Sequence, residues 1–423
     1  MHKNEDYTRK LLPVLLAICL TTSVFAQKAV IATTDFTTGD LSAIDAITHV
    51  STNEQLLIHG DAKVRTYGDR VYVINRLGQD NIIVLSKDDL ATPITQYSTG
   101  NGTNPHEIAV ASDTKAYVTL YARDYLLIVN PATGDSLGTI DLSTFSDADG
   151  LPEASQMAQF GDHLYVAMQR LNRDTFFSPT DFSTIAVINT QTDTLVDAEP
   201  ETDGIQGIRL QTTQPFGHTQ RAGRWVISSV GSFGVQDGGI EVVNLLTLKT
   251  EGIVLSETLL GGDVGPLSML SDTVGYVVLT DANFVNSIKQ FDLAAGTASG
   301  PLPDHSGGFT PAISVLGSTL YVLDRGSFSD PASAGVKIYT SATNTLSAGP
   351  ISTGIPPSDI TFIDVKTADF DDDGAVAFSD FLLFAGAFGK RQDEAGYATP
   401  FDLSPNGVVD FNDFLMFAEG FGK

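Results

Sequence analysis

The sequence contains little cysteine, little tryptophan and few basic residues. Its 423 residues include one Cys, one Trp and 24 Lys and Arg against 51 Asp and Glu, which gives a formal net charge of −27. A chain with this charge is repelled by nucleic acid phosphates and by anionic lipid headgroups. We therefore expect no nucleic-acid partner.

Long hydrophobic runs are absent beyond the N-terminus. Residues 11–20 are apolar, follow three basic side chains and precede small residues that end at Ala26. This pattern is typical of a cleaved secretory signal peptide over residues 1–26, and the apolar run is too short to cross a bilayer. The only cysteine, Cys19, would leave with the signal. We expect a secreted, periplasmic or cell-surface protein with no disulfide and no membrane span.

A short β-rich run recurs along most of the chain at intervals of about 42 to 61 residues. Five of the seven copies contain the dipeptide Tyr-Val. A repeat of this period is the first feature to explain, because it decides the fold. The copies lie around Val30, Tyr72, Tyr117, Tyr165, Val226, Tyr276 and Tyr321.

Each copy belongs to a larger unit of three or four strands. A second apolar run follows it and ends in Asp or Asn before a turn, as at residues 126–134. Most copies are preceded by an element that begins with proline, such as Pro105 or Pro266, and proline is tolerated at the first residue of a strand. Antiparallel units repeated seven times predict a mainly β fold, a seven-bladed β-propeller, whereas a two-sheet sandwich does not explain seven similar units.

The two ends of the repeat region complement each other. Residues 357–363 have the form of a first strand with no second strand after them, whereas the repeat near Val30 has a second strand and no first. We predict that strand 357–363 completes the N-terminal blade of a propeller over residues 28–365. Closure of this kind removes exposed sheet edges.

The repeats also resemble a known family. The Tyr-Val dipeptides, followed by runs such as Asn-Ile-Ile-Val-Leu at 81–85 and Leu-Ile-Val-Asn-Pro-Ala-Thr-Gly at 127–134, are similar to the YVTN repeats of surface-layer and YncE-like seven-bladed propellers. The resemblance covers roughly residues 28–365. It implies a propeller outside the cytoplasm, and some such propellers capture small molecules. Activity does not follow from it, because propellers host binding proteins and enzymes alike.

Residues 369–380 have the spacing of an EF-hand calcium loop. Positions 1, 3, 5 and 12 are Asp369, Asp371, Asp373 and Asp380, and the carbonyl of Ala375 stands at position 7 after a glycine. Calcium prefers six to eight oxygen ligands on a flexible loop of this kind.

A second loop repeats the pattern at residues 402–413. Its donors are Asp402, Ser404, Asn406, the carbonyl of Val408 and Asp413, again with glycine at position 6. The neutral donors at positions 3 and 5 predict weaker binding. We expect two Ca²⁺ ions, one in each loop, although two exposed acidic loops would also fit the composition.

Each loop leads into a short helix with a similar sequence, and the duplication over residues 367–423 resembles a type I dockerin module. In that family the residues after position 9 contact a cohesin partner. The corresponding pairs here are Phe378-Ser379 and Phe411-Asn412, which are bulkier than the usual small hydroxyl pairs. The resemblance implies a possible cohesin-like partner or, alternatively, packing of these aromatic residues elsewhere.

The propeller fold gathers certain loops at one mouth of the ring. Guanidinium and aromatic groups after the second strands would favour a small-molecule, carbohydrate or anionic ligand there, although the arginines could instead pair with neighbouring Asp residues. The predicted ligand-binding residues are Arg76, Tyr121, Arg123, Arg170, Phe233, Phe284 and Arg325.

Catalytic motifs are scarce. The sequence has no zinc-binding His-Glu-x-x-His helix or phosphate-binding glycine loop. His106, Glu107 and Glu153 are weak candidates for the acid–base groups of a lactonase-like hydrolase. We predict a non-catalytic propeller that binds or presents a ligand or protein partner, with the C-terminal module used for attachment or assembly. The alternatives are a secreted hydrolase acting on lactones or glycans and an adhesive component held by its tail.

Overall fold

The computed structural model describes residues 28–363 except residue 328, and residues 368, 370–371, 376–392, 394, 396–403 and 407–422. The first of these ranges forms seven separate antiparallel sheets arranged in a ring. The predicted seven-bladed β-propeller is therefore confirmed. The predicted signal peptide lies outside the described residues, as do the proposed ligands Asp369, Asp373, Ala375, Ser404 and Asn406.

Blades are numbered here around the ring, and the strands of each blade from the axis outward. Blade one consists of Pro357–Ile363, Lys28–Thr34, Thr38–Asp45 and Ser51–Thr52, with Leu57–His59 also paired to its third strand. Blade two consists of Ala62–Tyr67, Arg70–Asn75, Asn81–Ser86 and Asp89–Ser98. Blade three consists of Pro105–Ser112, Lys115–Leu120, Tyr125–Val129 and Ser136–Asp141.

The remaining four blades follow in chain order. Blade four consists of Ala154–Phe160, His163–Met168, Thr184–Asn189 and Thr194–Val196, with Ile208–Arg209 paired to its third strand. Blade five consists of Pro215–Arg221, Arg224–Ser229, Gly239–Asn244 and Lys249–Ser256. Blade six consists of Asp263–Met269, Val274–Thr280, Asn286–Asp292 and Thr297–Pro301. Blade seven consists of Ile313–Leu316, Thr319–Asp324, Gly335–Thr340 and Thr345–Ile351.

Short elements lie between these strands. The loop of blade four contains a small hairpin, Leu171–Asn172 with Ser178–Pro179. A four-residue helix, Glu257–Leu260, follows blade five. The described part of the propeller has 3-10 turns at Ser143–Phe145, Arg173–Thr175 and Pro331–Ser333, and the C-terminal part has one at Thr399–Phe401.

Blade one is assembled from both ends of the ring. Strand Pro357–Ile363 pairs antiparallel with Lys28–Thr34, and Ile363 lies opposite Lys28. The inner edge of Lys28–Thr34 is thereby hydrogen-bonded, so the ring has no open seam at this point.

The repeated Tyr-Val dipeptide has a structural explanation. Second strands are covered by neighbouring blades on both faces, so they are apolar and almost entirely buried. The tyrosine hydroxyl then reaches the next blade: Tyr117 donates to the Thr190 carbonyl, and Tyr276 donates to Asn344 Oδ1 at 2.7 Å. The repeat therefore encodes hydrogen bonds between blades as well as burial.

The C-terminal part contains two ten-residue helices, Phe378–Ala387 and Phe411–Gly420. The two halves contact each other reciprocally, because Gly389 N donates to the Val409 carbonyl and Gly422 N donates to the Val376 carbonyl, each at 2.7 Å. We call this pair of helices and the described residues around them the C-terminal module.

A cluster of phenylalanines forms the interior of the C-terminal module. The Phe370 ring stacks on Phe384 and Phe417, with ring centroids 6.1 and 6.0 Å apart. Phe384 and Phe417 are buried. Within the parts of the chain that the structure describes, no helix has the length and apolar content needed to cross a bilayer.

Candidate functional site

A cavity of about 610 Å³ opens at the centre of the ring, and we call it the mouth cavity. The first strands of all seven blades contribute to its wall, together with residues that follow four second strands. Among the residues predicted from sequence, the structure places five in this wall: Arg76, Tyr121, Phe233, His106 and Glu107.

Blades one to three give the mouth cavity a charged wall. Arg65 donates to Asp359 at 2.9 Å and to Glu107 at 2.5 Å, and Lys63 Nζ lies 3.4 Å from the other oxygen of Asp359. Burial by itself raises the pKa of Asp359, but Lys63 and Arg65 outweigh burial and lower that pKa below its ordinary value. Asp359 is therefore ionised, and it links the last strand of the ring to blade two.

His106 is held in place on both edges of its ring. Its Nδ1 lies 3.1 Å from Ser155 Oγ, its Nε2 lies 3.3 Å from an Arg76 nitrogen, and its ring stacks on Tyr121 with centroids 4.1 Å apart. Burial, with Arg76 and Lys63 as further causes, places the pKa of His106 well below its usual value. Because arginine is always a donor, Nε2 must be the acceptor, so His106 is neutral with its proton on Nδ1.

His218 in blade five is the other histidine of the mouth cavity. Trp225 Nε1, which can only donate, lies 3.0 Å from His218 Nδ1, so the proton of the neutral ring is on Nε2. Burial, with smaller contributions from Arg65 and Lys63, lowers the pKa of His218 to about 3. His218 therefore acts as a hydrogen-bond donor through Nε2 at ordinary pH.

Blades four to seven give the mouth cavity a mainly apolar wall. Phe177 and Phe233 come from the loops after the second strands of blades four and five, and Phe216 from the first strand of blade five. Pro266 and Ile313 continue this surface around blades six and seven. The charged groups of the cavity wall thus lie on blades one to three, and its phenylalanines lie on blades four and five.

Three exposed phenylalanines, including the predicted ligand-binding residue Phe284, lie on strained backbone outside the wall of the mouth cavity. Phe36, Phe176 and Phe284 follow the second strands of blades one, four and six, and are 77%, 98% and 86% exposed. Each has a left-handed backbone conformation, with φ of 71°, 57° and 60°. A bulky residue in this conformation is unfavourable and occurs mostly where the surrounding structure or function requires it.

Several predicted residues lie outside the cavity wall. Arg123 donates to the carbonyls of Asn101 and Gly102, so it closes a loop. Arg170 lies over the Phe182 ring at 3.8 Å, and Arg325 lies over the Phe36 ring at 4.4 Å. These three arginines therefore stabilise loops and do not line the cavity.

Glu153, one of the weak catalytic candidates, is fully buried outside the cavity wall. Its carboxylate accepts from Arg173 Nε at 3.1 Å and from Leu171 N at 3.0 Å, and burial raises its pKa to about 7. Among the described residues, Asp147 and Asp149 bring carboxylate oxygens within 4.8 Å of it. Arg173 supplies the positive charge of this acidic cluster.

Four titratable residues of the cavity wall were not predicted from the sequence: Lys63, Arg65, His218 and Asp359. All lie within first strands, where alternate side chains face the axis. The available signal was charge next to the Tyr72 repeat, since Lys63-Val64-Arg65 places two cations in the strand that precedes it.

The buried titratable groups predict opposite effects of pH on stability. The folded-state pKa of His218 is depressed, so the contribution of the neutral His218 ring to stability is lost as pH falls from about 6.5 toward 3. If unfolding takes up one proton, the free energy of unfolding changes by about 1.4 kcal/mol per pH unit. Between pH 6 and 5, the wild type should lose about 1 kcal/mol more stability than His218→Gln. Urea titrations at both pH values measure this difference.

Glu153 provides the control of opposite sign. Its folded-state pKa is raised, so its contribution is present at low pH and is lost as pH rises from about 4.5 to 7. Glu153→Gln should therefore lose less stability than the wild type over this rise in pH. Identical pH profiles for the wild type and both variants would contradict the assignment.

The described part of the calcium loops shows how their acidic residues are arranged. Asp380 is fully buried, and its Oδ1 accepts from the backbone N–H groups of Phe370 and Asp371 while its Oδ2 accepts from Ala377 N at 2.8 Å. Asp413 is also fully buried and accepts from Asp410 N. The two position-12 carboxylates therefore have equivalent places at the starts of the two helices.

In the second loop, the first position is also oriented inward. Asp402 Oδ2 accepts from Gly407 N at 2.9 Å and from the Tyr397 hydroxyl at 2.8 Å. Val408 forms an antiparallel bridge with Arg391. Carboxylates at positions 1 and 12 are hard oxygen donors of the kind that Ca²⁺ prefers.

No protein-family model and no curated protein matches this sequence. The chain is similar in structure to apo AztD from Citrobacter koseri, with 13% identity, a TM-score of 0.47 and coverage of 80% of this chain and 98% of the other. It is also similar to a streptogramin B lyase structure, with 12% identity, a TM-score of 0.49 and coverage of 70% and 89%. Likeness at this level concerns the propeller-type fold alone.

Proposed function

We propose that this protein is an exported, non-catalytic propeller that binds a ligand in its mouth cavity and carries a calcium-stabilised, dockerin-like C-terminal module. The observation that carries the proposal is the mouth cavity itself. It brings Arg76, Tyr121 and Phe233 from three blades into one wall, with polar groups held by hydrogen bonds. A preorganised concave site of this kind is typical of ligand binding.

The arrangement of the catalytic candidates favours binding over hydrolysis. Both nitrogens of His106 have hydrogen-bond partners, and Glu107 is paired with Arg65. A general base accepts a proton from the substrate, and both residues already accept hydrogen bonds from an arginine of the protein. We therefore propose ligand capture or presentation in preference to lactone or glycan hydrolysis.

The YVTN-type repeat and the predicted signal peptide support a location outside the cytoplasm. The acidic composition and the lack of a cysteine after residue 19 agree with that proposal. The C-terminal module would serve for attachment or assembly, and the exposed Phe378 and Phe411 at equivalent positions of its two helices are available to a protein partner. A cohesin-like protein is one such partner.

Thermal-shift measurements with pools of small molecules, sugars and peptides test the binding proposal. At least one pool should raise the melting temperature of the propeller, and the double variant Arg76→Ala and Phe233→Ala should remove that shift. Arg224→Ala is the matched control, because Arg224 pairs with Glu251 away from the mouth cavity. Absence of any shift, or shifts that persist in the double variant, would count against the proposal.

The hydrolase alternative has its own test. Wild-type protein incubated with lactone and glycan panels should release no product beyond the rate of the uncatalysed control. Turnover that disappears in His106→Ala would replace the binding proposal with catalysis.

A further inference from the structure

The carboxylates of the mouth cavity are already satisfied by protein groups. Asp359 accepts from Lys63, Arg65 and Val64 N, and Glu107 accepts from Arg65 and Ile108 N. All four carboxylate oxygens therefore have a donor. Both carboxylates are therefore held in place by donors of the protein.

The hydrogen-bond donors of the cavity wall, in contrast, include N–H groups that have no acceptor among the described residues. Lys63 Nζ has three N–H groups, and its one partner among the described residues is Asp359 at the long distance of 3.4 Å. The Nε of Arg76 is buried and has no hydrogen-bond partner in the described part of the chain. His218 Nε2 carries a proton because Trp225 occupies Nδ1.

Lys63 and His218 both line the mouth cavity, from the first strands of blades two and five. The Lys63 ammonium and the His218 Nε2 donor therefore both face a ligand inside this cavity.

Blades five to seven also supply apolar groups to the cavity wall. Phe216 and Phe233 are exposed aromatic side chains of blade five, and Pro266 and Ile313 extend an apolar surface over blades six and seven. Burial of apolar ligand surface against these groups is favourable, and aromatic rings gain additional energy by stacking.

We propose that the ligand is a small organic carboxylate whose anionic group binds to Lys63 and His218 and whose apolar or aromatic body lies against Phe216, Phe233 and Pro266. This inference rests on the proposed ligand-binding function and specifies the class of ligand. A single incompletely paired ammonium matches a monoanion. The neutral His218 donor adds a hydrogen bond to a carboxylate without needing a second positive charge.

Fluorine NMR on the full mature chain tests the inference with three probes that share the same fluorophenyl ring. The probes are 4-fluorophenylacetate, 4-fluorophenylacetamide and 4-fluorophenethylamine, which are anionic, neutral and cationic. The carboxylate should bind at least tenfold more tightly than the amide, and the amine should show no binding. A charged hydrogen bond of ordinary strength accounts for a factor of this size.

Variants assign the preference to the proposed groups. Lys63→Met should remove the tenfold preference, and Lys115→Met should keep it because Lys115 binds the Thr190 carbonyl and Asp193 outside this cavity. Phe233→Ala, at a side chain 68% exposed, should fold normally and weaken both the acid and the amide while the preference remains.

The outcomes separate this inference from the proposed function. Equal binding of acid and amide, both weakened in Phe233→Ala, would overturn the carboxylate inference and leave mouth binding intact. No binding by any of the three probes would also overturn the inference. Mouth binding itself fails only if the broad ligand pools fail as well.

Discussion

Asp359→Ala is expected to lower the free energy of unfolding of the propeller by about 3–5 kcal/mol, the usual cost of removing one partner from a buried ion-pair network. Asp359 is buried and accepts hydrogen bonds from Arg65 and from Val64 N, each at 2.9 Å. Its removal leaves the Arg65 guanidinium partly uncompensated. It also removes the polar link between the final strand of the ring and blade two.

The position of the tryptophan allows this loss of stability to be measured. Trp225 is the only tryptophan of the chain and is fully buried in blade five, so urea titration followed by tryptophan fluorescence reports on the propeller. Asp69→Ala is the control, because the Asp69–Arg70 pair is exposed and should contribute less than about 1 kcal/mol. Equal small losses in the two variants would show that the Asp359 network contributes little to closure.

Asp380→Ala is expected to unfold the C-terminal module while the propeller stays folded. Its buried carboxylate accepts three backbone N–H bonds, from Phe370, Asp371 and Ala377. Hydrogen bonds to a charged group contribute about 1.5–3 kcal/mol each, and a unit of this size has little stability in reserve. The loss should appear as decreased helical circular dichroism with unchanged Trp225 fluorescence.

Calcium should also shift the folding equilibrium of the C-terminal module. If free Ca²⁺ exceeds the dissociation constant 100-fold, binding adds roughly 2.7 kcal/mol to the folded module. Chelator should therefore lower the melting temperature of the wild-type module, beginning with the weaker loop at residues 402–413, and Asp380→Ala should no longer respond. Ser379→Ala, at the neighbouring exposed residue, is the control. One joint unfolding transition, insensitive to chelator, would refute an independent calcium-stabilised module.

The propeller could be predicted from sequence because its signal is repeated seven times. Burial on both faces makes each second strand apolar, and the hydroxyls of tyrosines such as Tyr117 and Tyr276 meet the next blade, so the same residues recur at the same place. Many weak local preferences that agree with one architecture identify it more firmly than one strong motif.

The mouth cavity was less predictable because the sequence does not show where a side chain in a loop points. Arg170 adopts left-handed backbone with φ of 53° and lies over Phe182, whereas Arg76 reaches His106 inside the cavity. Both arginines follow second strands, and local sequence does not distinguish these outcomes. Lys63 and His218 were missed for a related reason: a first strand has two faces, and the axis-facing one is fixed only by ring geometry.

The pairing of Lys28 with Ile363 has a consequence for how this protein could work when attached to a partner. The opposite end of the same strand pair, at Thr33 and Pro357, lies at the mouth, so the chain enters and leaves the ring on the face away from the mouth cavity. A tether that continues beyond Ile363 therefore starts from the propeller face opposite the mouth cavity. Immobilisation through the C-terminal module would leave the mouth unobstructed, so that anchoring and ligand uptake need not compete for the same surface.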